Sequence, residues 1–158
     1  LIAAYGMSRA RHSHALVVAG HWDERYPAAR ELSAQLGLTQ QVRFLHNAAE
    51  NDLPALLSGA SAFVYPSLYE GFGLPPLEAL ACGTPVICGS TSSLPEVVGD
   101  AAVQIDMRQP EALASTIDNL LNDTALQERL RRIGTARAAQ FTWRRTAEQT
   151  VAAYQSGI

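Results

Sequence analysis

The chain has 158 residues, 47% of them hydrophobic, with 12 basic and 15 acidic side chains and a formal net charge of −3. That length and apolar fraction suit one well-cored domain and are short for two. The acidic balance argues against a dedicated nucleic-acid binder, and because every basic residue is an arginine, no lysine in these residues can contact a phosphate.

Leu1 to Tyr5 reads as helix with no cap before it, so the chain is expected to start inside an element. His14 to Gly20 reads as a buried strand, followed by a helix carrying Ala28, Leu32 and Leu36 and closed by Gly37. Val42 to Leu45 is the next short strand. Asn51 or Asp52 is placed to cap a helix through Leu53, Leu56 and Leu57 that ends at Gly59. The apolar run Ala62-Phe63-Val64-Tyr65 predicts a strand covered on both faces, and Pro85 to Cys88 predicts another. Ser92 or Ser93 is expected to cap a short helix holding Pro95 and Glu96, before a last strand from Ala102 to Ile105. Strands alternating with helices at this spacing predict an α/β fold: an open, mostly parallel, Rossmann-like sheet with flanking helices and right-handed crossovers. Ligands on such sheets bind at the carboxyl ends of the strands.

From Pro110 onward the pattern is helical. Leu113, Ile117, Leu120 and Leu121 form one apolar stripe, Leu126, Leu130 and Ile133 another, and Thr142 is placed to cap a last helix from Trp143 to Tyr154. The arginines of this region, Arg129, Arg131, Arg132, Arg137, Arg144 and Arg145, are read as a solvated helix face rather than a phosphate or membrane patch, because acids are interspersed among them. Cys82 and Cys88 match no metal or redox spacing and are expected to act as small buried hydrophobes. No signal peptide and no run of eighteen apolar residues occurs, which points to a cytoplasmic protein.

The chemistry concentrates in residues 65–83. Gly71 and Gly73 flank Phe72 in a loop where backbone amides can approach a ligand closely. Pro75 or Pro76 suits the first turn of a following helix, in which Leu77, Leu80 and Ala81 share a face and which Gly83 ends. Strand, glycine loop and helix N-terminus together predict an anion site. Glu70 and Glu78 bracket it with seven residues between them, the first in the loop and the second expected in the helix's first turn. Carboxylates accept paired hydrogen bonds from vicinal diols, so sugars and ribose are natural targets. An acid at the position of Glu78 also fits the preference of any helix dipole, whereas a turn does not by itself need an acid at Glu70.

The run Glu70-Gly71-Phe72-Gly73-Leu74-Pro75-Pro76-Leu77-Glu78-Ala79, followed by Cys82-Gly83-Thr84-Pro85-Val86, resembles the paired-glutamate signature of retaining nucleotide-sugar glycosyltransferases of the GT-B fold, family 4, also called group 1. Residues 92–102, 16–20 and 42–45 follow the same family's order, so the likeness covers nearly the whole chain. The resemblance implies that residues 1–158 are the C-terminal, donor-binding half of a GT-B enzyme, truncated at its N-terminus, with the acceptor domain absent. It assigns the donor sugar and phosphate to Glu70, taken as the catalytic residue, and to Gly71, Phe72, Gly73 and Leu74. The ribose falls to Glu78. Gly20 and His21 are counted with the donor site, His21 as a phosphate contact, against the favoured reading of a solvent-facing loop histidine. Trp22 is read as packing. His46 stands where the family often has glycine, which bears on base recognition.

The implied reaction is transfer of a sugar from a nucleotide-diphosphate sugar to a hydroxyl acceptor with retention, without a cofactor; no Asp-x-Asp motif is present, and no metal is expected. Likeness to bacterial mannosyltransferases favours GDP-mannose. The acceptor would be a glycan, a lipid-linked sugar or a small molecule reached through the absent domain, with the full enzyme at the inner membrane face as one location. The alternatives are a GT-B sugar-nucleotide epimerase and a nonenzymatic nucleotide-binding module; a dehydrogenase is disfavoured because no Gly-x-Gly-x-x-Gly follows a first strand. The family's first strand is central to its sheet, so the resemblance also implies a gap there.

Overall fold

A computed structural model describes residues 1–21 and 23–157. The chain alternates short helices with parallel strands, then closes with three longer helices. In order these are α1 (Ile2–Met7), β1 (Leu16–Gly20), α2 (Ala28–Gln35), β2 (Val42–His46), α3 (Leu53–Gly59), β3 (Phe63–Tyr65), α4 (Leu74–Ala81), β4 (Val86–Gly89), α5 (Leu94–Val98), β5 (Ala102–Ile105), α6 (Pro110–Asn122), α7 (Thr124–Ala138) and α8 (Trp143–Gln155). The proposed packing role of Trp22 lies outside the described residues.

The single sheet expected from the sequence is two. β1 pairs with β2 in parallel, with Leu16 opposite Val42, while β3, β4 and β5 form a separate parallel ladder in which Phe63 faces Val86 and Val86 faces Ala102. The ladder is interrupted between the pair and the triple. β4 is the one strand of the triple with neighbours on both sides, and all four of its residues are buried. β3 carries an equally apolar sequence, yet its three residues are only half-buried.

Three cores hold these layers. Ala79, Leu80, Val86, Cys88, Leu94 and Val98 lie between α4, α5 and β4. A second core joins Ala4 and Ala10 to Ile87 and to Leu113, Ile117 and Leu120 of α6, and a third joins Ile2 and Tyr5 to Leu38 and Val42. α1 therefore contributes to the cores of both sheets, Ala4 on one side and Ile2 and Tyr5 on the other, and it joins them where no backbone ladder does.

Several expected helix ends differ in detail. Neither Asn51 nor Asp52 caps α3 through its side chain; the chain enters α3 from a 3-10 turn, with Pro54 in the first helical turn. Leu36 is exposed, and the buried residue of α2 is Ser33. Thr142 does cap α8, its hydroxyl accepting from the Arg145 amide at 3.1 Å. Cys88 is buried, and that burial pushes its thiol up to about 11, so it packs as a small hydrophobe; Cys82 is half-buried.

The turn after α1 is anchored by one carboxylate. Asp118 of α6 accepts from the Ser8 hydroxyl at 2.5 Å and from the Arg9 and Ala10 amides at 3.2 and 3.3 Å. Partial burial acts to raise its pKa, but the Ser8 hydroxyl and the two amides outweigh it and hold the group below the ordinary carboxylate range. A depressed folded pKa gives stability that is present above the unfolded value, ~4, and lost as pH falls through the folded one. Asp118→Asn is therefore expected to lower the melting temperature at neutral pH and to converge with the wild type in acid. A gap that stays constant with pH would show that the charge is not what anchors the turn.

Candidate functional site

The chain leaves β3 at Tyr65, runs through the loop 66–73 and enters α4 at Leu74. Gly73 is the N-cap of α4, with φ 109° and ψ 51°, a left-handed conformation that most side chains resist. A Cβ there would also lie 2.7 Å from Cδ2 of the fully buried Leu94, so glycine is required twice over. Gly71 differs. Its φ is not in the left-handed region, and a Cβ would meet nothing within 4 Å, so it faces open space.

Starting at Leu74 places Glu78 one full turn inside the helix, not in the first turn as expected. Its side chain is exposed. The buried face of α4 is Pro76, Ala79 and Leu80, with Leu77 half-buried; Ala81, expected on that face, is exposed. Gly83, at φ 71°, closes the helix, and the Arg131 guanidinium donates to its carbonyl at 2.8 Å.

Glu70 is gripped from two directions. The Tyr65 hydroxyl donates to its Oε1 at 2.6 Å. That bond, with a smaller contribution from the Ser67 hydroxyl, holds the Glu70 carboxyl below its ordinary value. On the Tyr65 side, burial and the neighbouring carboxylate push the phenol up to about 12. The tyrosine therefore stays a donor and the glutamate an anion across the physiological range.

The main chain of the loop is held by hydroxyls from the segment between β4 and α5. Thr91 Oγ1 donates to the Leu68 carbonyl at 2.8 Å, and Ser93 Oγ donates in a three-centre bond to the carbonyls of Glu70 at 2.9 Å and Phe72 at 2.8 Å. Ser92 Oγ accepts from the Glu70 amide at 3.1 Å and donates to the Glu70 carbonyl. The expected cap is thus replaced: neither serine caps α5, because these hydroxyls are committed to the loop. Phe72 packs edge-on against Phe141 with ring centroids 5.9 Å apart, and Phe141 carries the Arg137 guanidinium 5.1 Å above its ring.

Gly20 and His21 stand apart, at the carboxyl end of β1 on the other sheet. His21 is exposed, its Nδ1 is 3.2 Å from Asn47 Oδ1, and its ring lies 5.5 Å from that of His46 at the end of β2. Asn47 adopts φ 52° and its amide donates to the Gly20 carbonyl at 3.2 Å, which ties the carboxyl ends of β1 and β2 together. The structure thus brings Glu70 to Gly73 and Leu74 together and leaves Gly20 and His21 in a second cluster. Behind the loop, at the ends of β3, β4 and β5, a cavity of about 160 Å³ is lined by Ser67, Gly89, Thr91, Asp106, Met107 and Arg108. The Arg108 guanidinium holds the Asp106 carboxyl down at about 2.

Residues 1–137 match the family model described as glycosyl transferases group 1. The chain belongs to this family. Among curated relatives, it is 46% identical over 114 residues to O-antigen chain mannosyltransferase B of Escherichia coli, an alignment that covers 72% of this chain and 30% of the relative. Among solved structures it superposes on sucrose-phosphate synthase from Thermosynechococcus elongatus with TM-score 0.85 at 28% identity, over 98% of this chain and 41% of that one. The Anabaena protein HepE, solved with UDP-glucose, superposes with TM-score 0.86 at 24% identity over 100% of this chain and 44% of that one, and shares the fold. The group 1 chain described here therefore corresponds to less than half the length of each, and it has the α/β architecture of GT-B glycosyltransferases.

Tyr65, Ser92, Ser93, Phe141 and Arg137 all bear on the loop and were not assigned to it from sequence. The solvated-face reading of the arginines fails for two of them: Arg131 caps α4, and Arg137 donates to the Val97 carbonyl at 2.9 Å and to the Glu96 carbonyl, capping α5. Charge-assisted bonds to two helix-end carbonyls are worth roughly 2 kcal/mol. Arg137→Ala is expected to lower unfolding free energy in urea by about that amount, while the exposed Arg132→Ala changes it by less than ~0.5 kcal/mol. Equal effects would return Arg137 to the solvated face.

Proposed function

We propose that this chain supplies the donor site of a retaining glycosyltransferase that moves a sugar, with mannose from GDP-mannose preferred, from a nucleotide-diphosphate sugar to a hydroxyl acceptor. The observation that carries the reading is the anionic Glu70 carboxylate, fixed by Tyr65 on an open loop that runs directly into the N-terminus of α4. The mannosyl preference is supported by the 46% identity to a mannosyltransferase, and nucleotide-sugar binding by the fold shared with a protein solved with UDP-glucose.

In this reading the loop amides of Gly71 to Leu74 face the donor phosphates at the N-terminus of α4, whose partial positive charge favours an anion; Pro75 and Pro76 of its first turn carry no N–H, so the loop supplies the donors. As the glycosidic bond to the diphosphate breaks, negative charge grows on the leaving oxygen and positive charge on the sugar ring. Amides already aimed at the phosphate need no reorganisation to stabilise the first, and the Glu70 carboxylate either orients the sugar hydroxyls or steadies the second. Glu78, exposed one turn further along α4, is assigned to the ribose diol. Gly20 and His21 approach the same donor from the ends of the other sheet. The acceptor binds on a separate domain, and transfer requires both. Among the described residues no helix is long and apolar enough to cross a membrane.

Calorimetric titration with GDP, UDP and their mannose, glucose and N-acetylglucosamine conjugates tests the donor assignment. GDP and GDP-mannose are expected to bind best, and Glu78→Ala to weaken nucleotide binding; unchanged affinity would assign Glu78 to the helix dipole alone. In the enzyme carrying this segment, Glu70→Ala is expected to cost ~10²–10³-fold in turnover, the scale of one preorganised electrostatic contact. Wild-type turnover would refute its role. Gly71→Ala should leave the melting temperature unchanged, because its Cβ enters open space, yet reduce donor affinity. Full affinity in that variant would mean the donor does not approach the loop there.

A further inference from the structure

Glu70 sits on a loop, and a glutamate on a loop has three side-chain torsions and a mobile backbone to scatter its carboxylate. Two residues remove that freedom from opposite ends. We propose that Tyr65 and Ser92 are positioning residues for Glu70, Tyr65 fixing its carboxylate from β3 and Ser92 fixing its main chain from the segment between β4 and α5. The proposal rests on the reading of Glu70 as the group that meets the donor sugar.

Tyr65 acts on the carboxylate alone. Its ring is seated by stacking on Phe63, with centroids 6.1 Å apart, and its hydroxyl reaches Oε1 at 2.6 Å. The Tyr65 bond engages one lone pair of Oε1, and the carboxylate keeps further acceptor sites for sugar hydroxyls. The bond also sets the rotamer from which they are offered. Because the phenol stays protonated up to about 12, it donates at every pH at which the protein works.

Ser92 acts on the backbone. It is one of two described residues other than glycine with positive φ, at 62°, a conformation glycine would adopt without strain. What serine supplies there is a hydroxyl that accepts from the Glu70 N–H and donates to the Glu70 C=O, closing on both main-chain groups of a single residue. Thr91 and Ser93 already tie down the carbonyls of Leu68, Glu70 and Phe72, so the loop is held without Ser92. Its distinct contact is the Glu70 amide.

A tether that only stiffened the loop would change stability and activity together. These two are expected to separate them. Around Glu70 the titratable neighbour is Tyr65 from β3; Ser67 of its own loop and Ser92 and Ser93 from the facing segment bring uncharged hydroxyls. A titration of carboxyl-labelled protein by carbon NMR, with the Glu70 signal assigned by its loss in Glu70→Gln, should therefore show a higher midpoint in Tyr65→Phe than in the wild type. In the enzyme carrying this segment, Tyr65→Phe should lower kcat/KM for the donor ~10-fold, the scale of one lost hydrogen bond to a charged group. In a Glu70→Ala background the same change should cost nothing further, because its only target is gone. Ser92→Gly, which relieves the strained backbone, should keep or raise the melting temperature while kcat/KM falls.

An unmoved Glu70 midpoint in Tyr65→Phe, or additive losses in the double variant, would overturn the role of Tyr65. Full activity in Ser92→Gly would overturn that of Ser92. If Glu70→Ala itself leaves transfer intact, the donor reading fails instead, and the NMR titration still decides whether Tyr65 holds the carboxylate.

Discussion

The loop between β3 and α4 must bring a carboxylate and a row of amides to the edge of the protein, and it has no ladder or helix of its own to hold it there. Backbone carbonyls without such partners need others. The tripeptide Thr91-Ser92-Ser93 supplies them, three consecutive hydroxyls reaching the main chain of Leu68, Glu70 and Phe72. That commitment has consequences for everything around it. Serines that would cap α5 are spent on the loop, so α5 starts without a side-chain cap and instead inserts Leu94 beneath Gly73. The end of α5 is in turn satisfied from a distance by Arg137.

The C-terminal helices thus do more than cover a sheet face. α7 packs on α4 closely enough that a Cβ at Gly134 would lie 2.9 Å from Leu80, and its arginines reach the carboxyl ends of α4 and α5. Phe141, just beyond α7, supports Phe72 of the loop. The loop is clamped between a hydroxyl segment on one side and an aromatic contact on the other. Its outer surface stays open: Leu68, Tyr69 and Leu74 are more than half exposed, Tyr69 by 81%.

The two sheets divide the proposed donor site between them. The loop and Glu70 belong to the three-stranded ladder, whereas Gly20 and His21 belong to the pair, beside His46 and Asn47. What joins the halves on the protein side is α1, whose alternate residues enter both cores. A ligand bound by both clusters would add a second connection. Binding would then stabilise the relation of the sheets as well as hold the donor.

Much of this was legible in the residues. The alternation of apolar runs with capped helical stretches determined an α/β fold with parallel strands, because a run such as Pro85 to Cys88 can only be so apolar if both faces are covered. The Glu-Gly-Phe-Gly run located the candidate site and named Glu70, since chemistry confined to one short segment survives any uncertainty about packing. Tertiary structure alone decided the rest. Glu78 lies a turn further in than expected because α4 starts at Leu74, directly after the left-handed Gly73, which packs against the buried Leu94. The loop partners of Ser92 and Ser93 lie more than twenty residues away, as do the carbonyls that Arg131 and Arg137 reach at the ends of α4 and α5. Local sequence offers a serine a helix cap and an arginine the solvent. Which group each finally meets is set by the long-range packing that brings β4, α4 and α7 against one another.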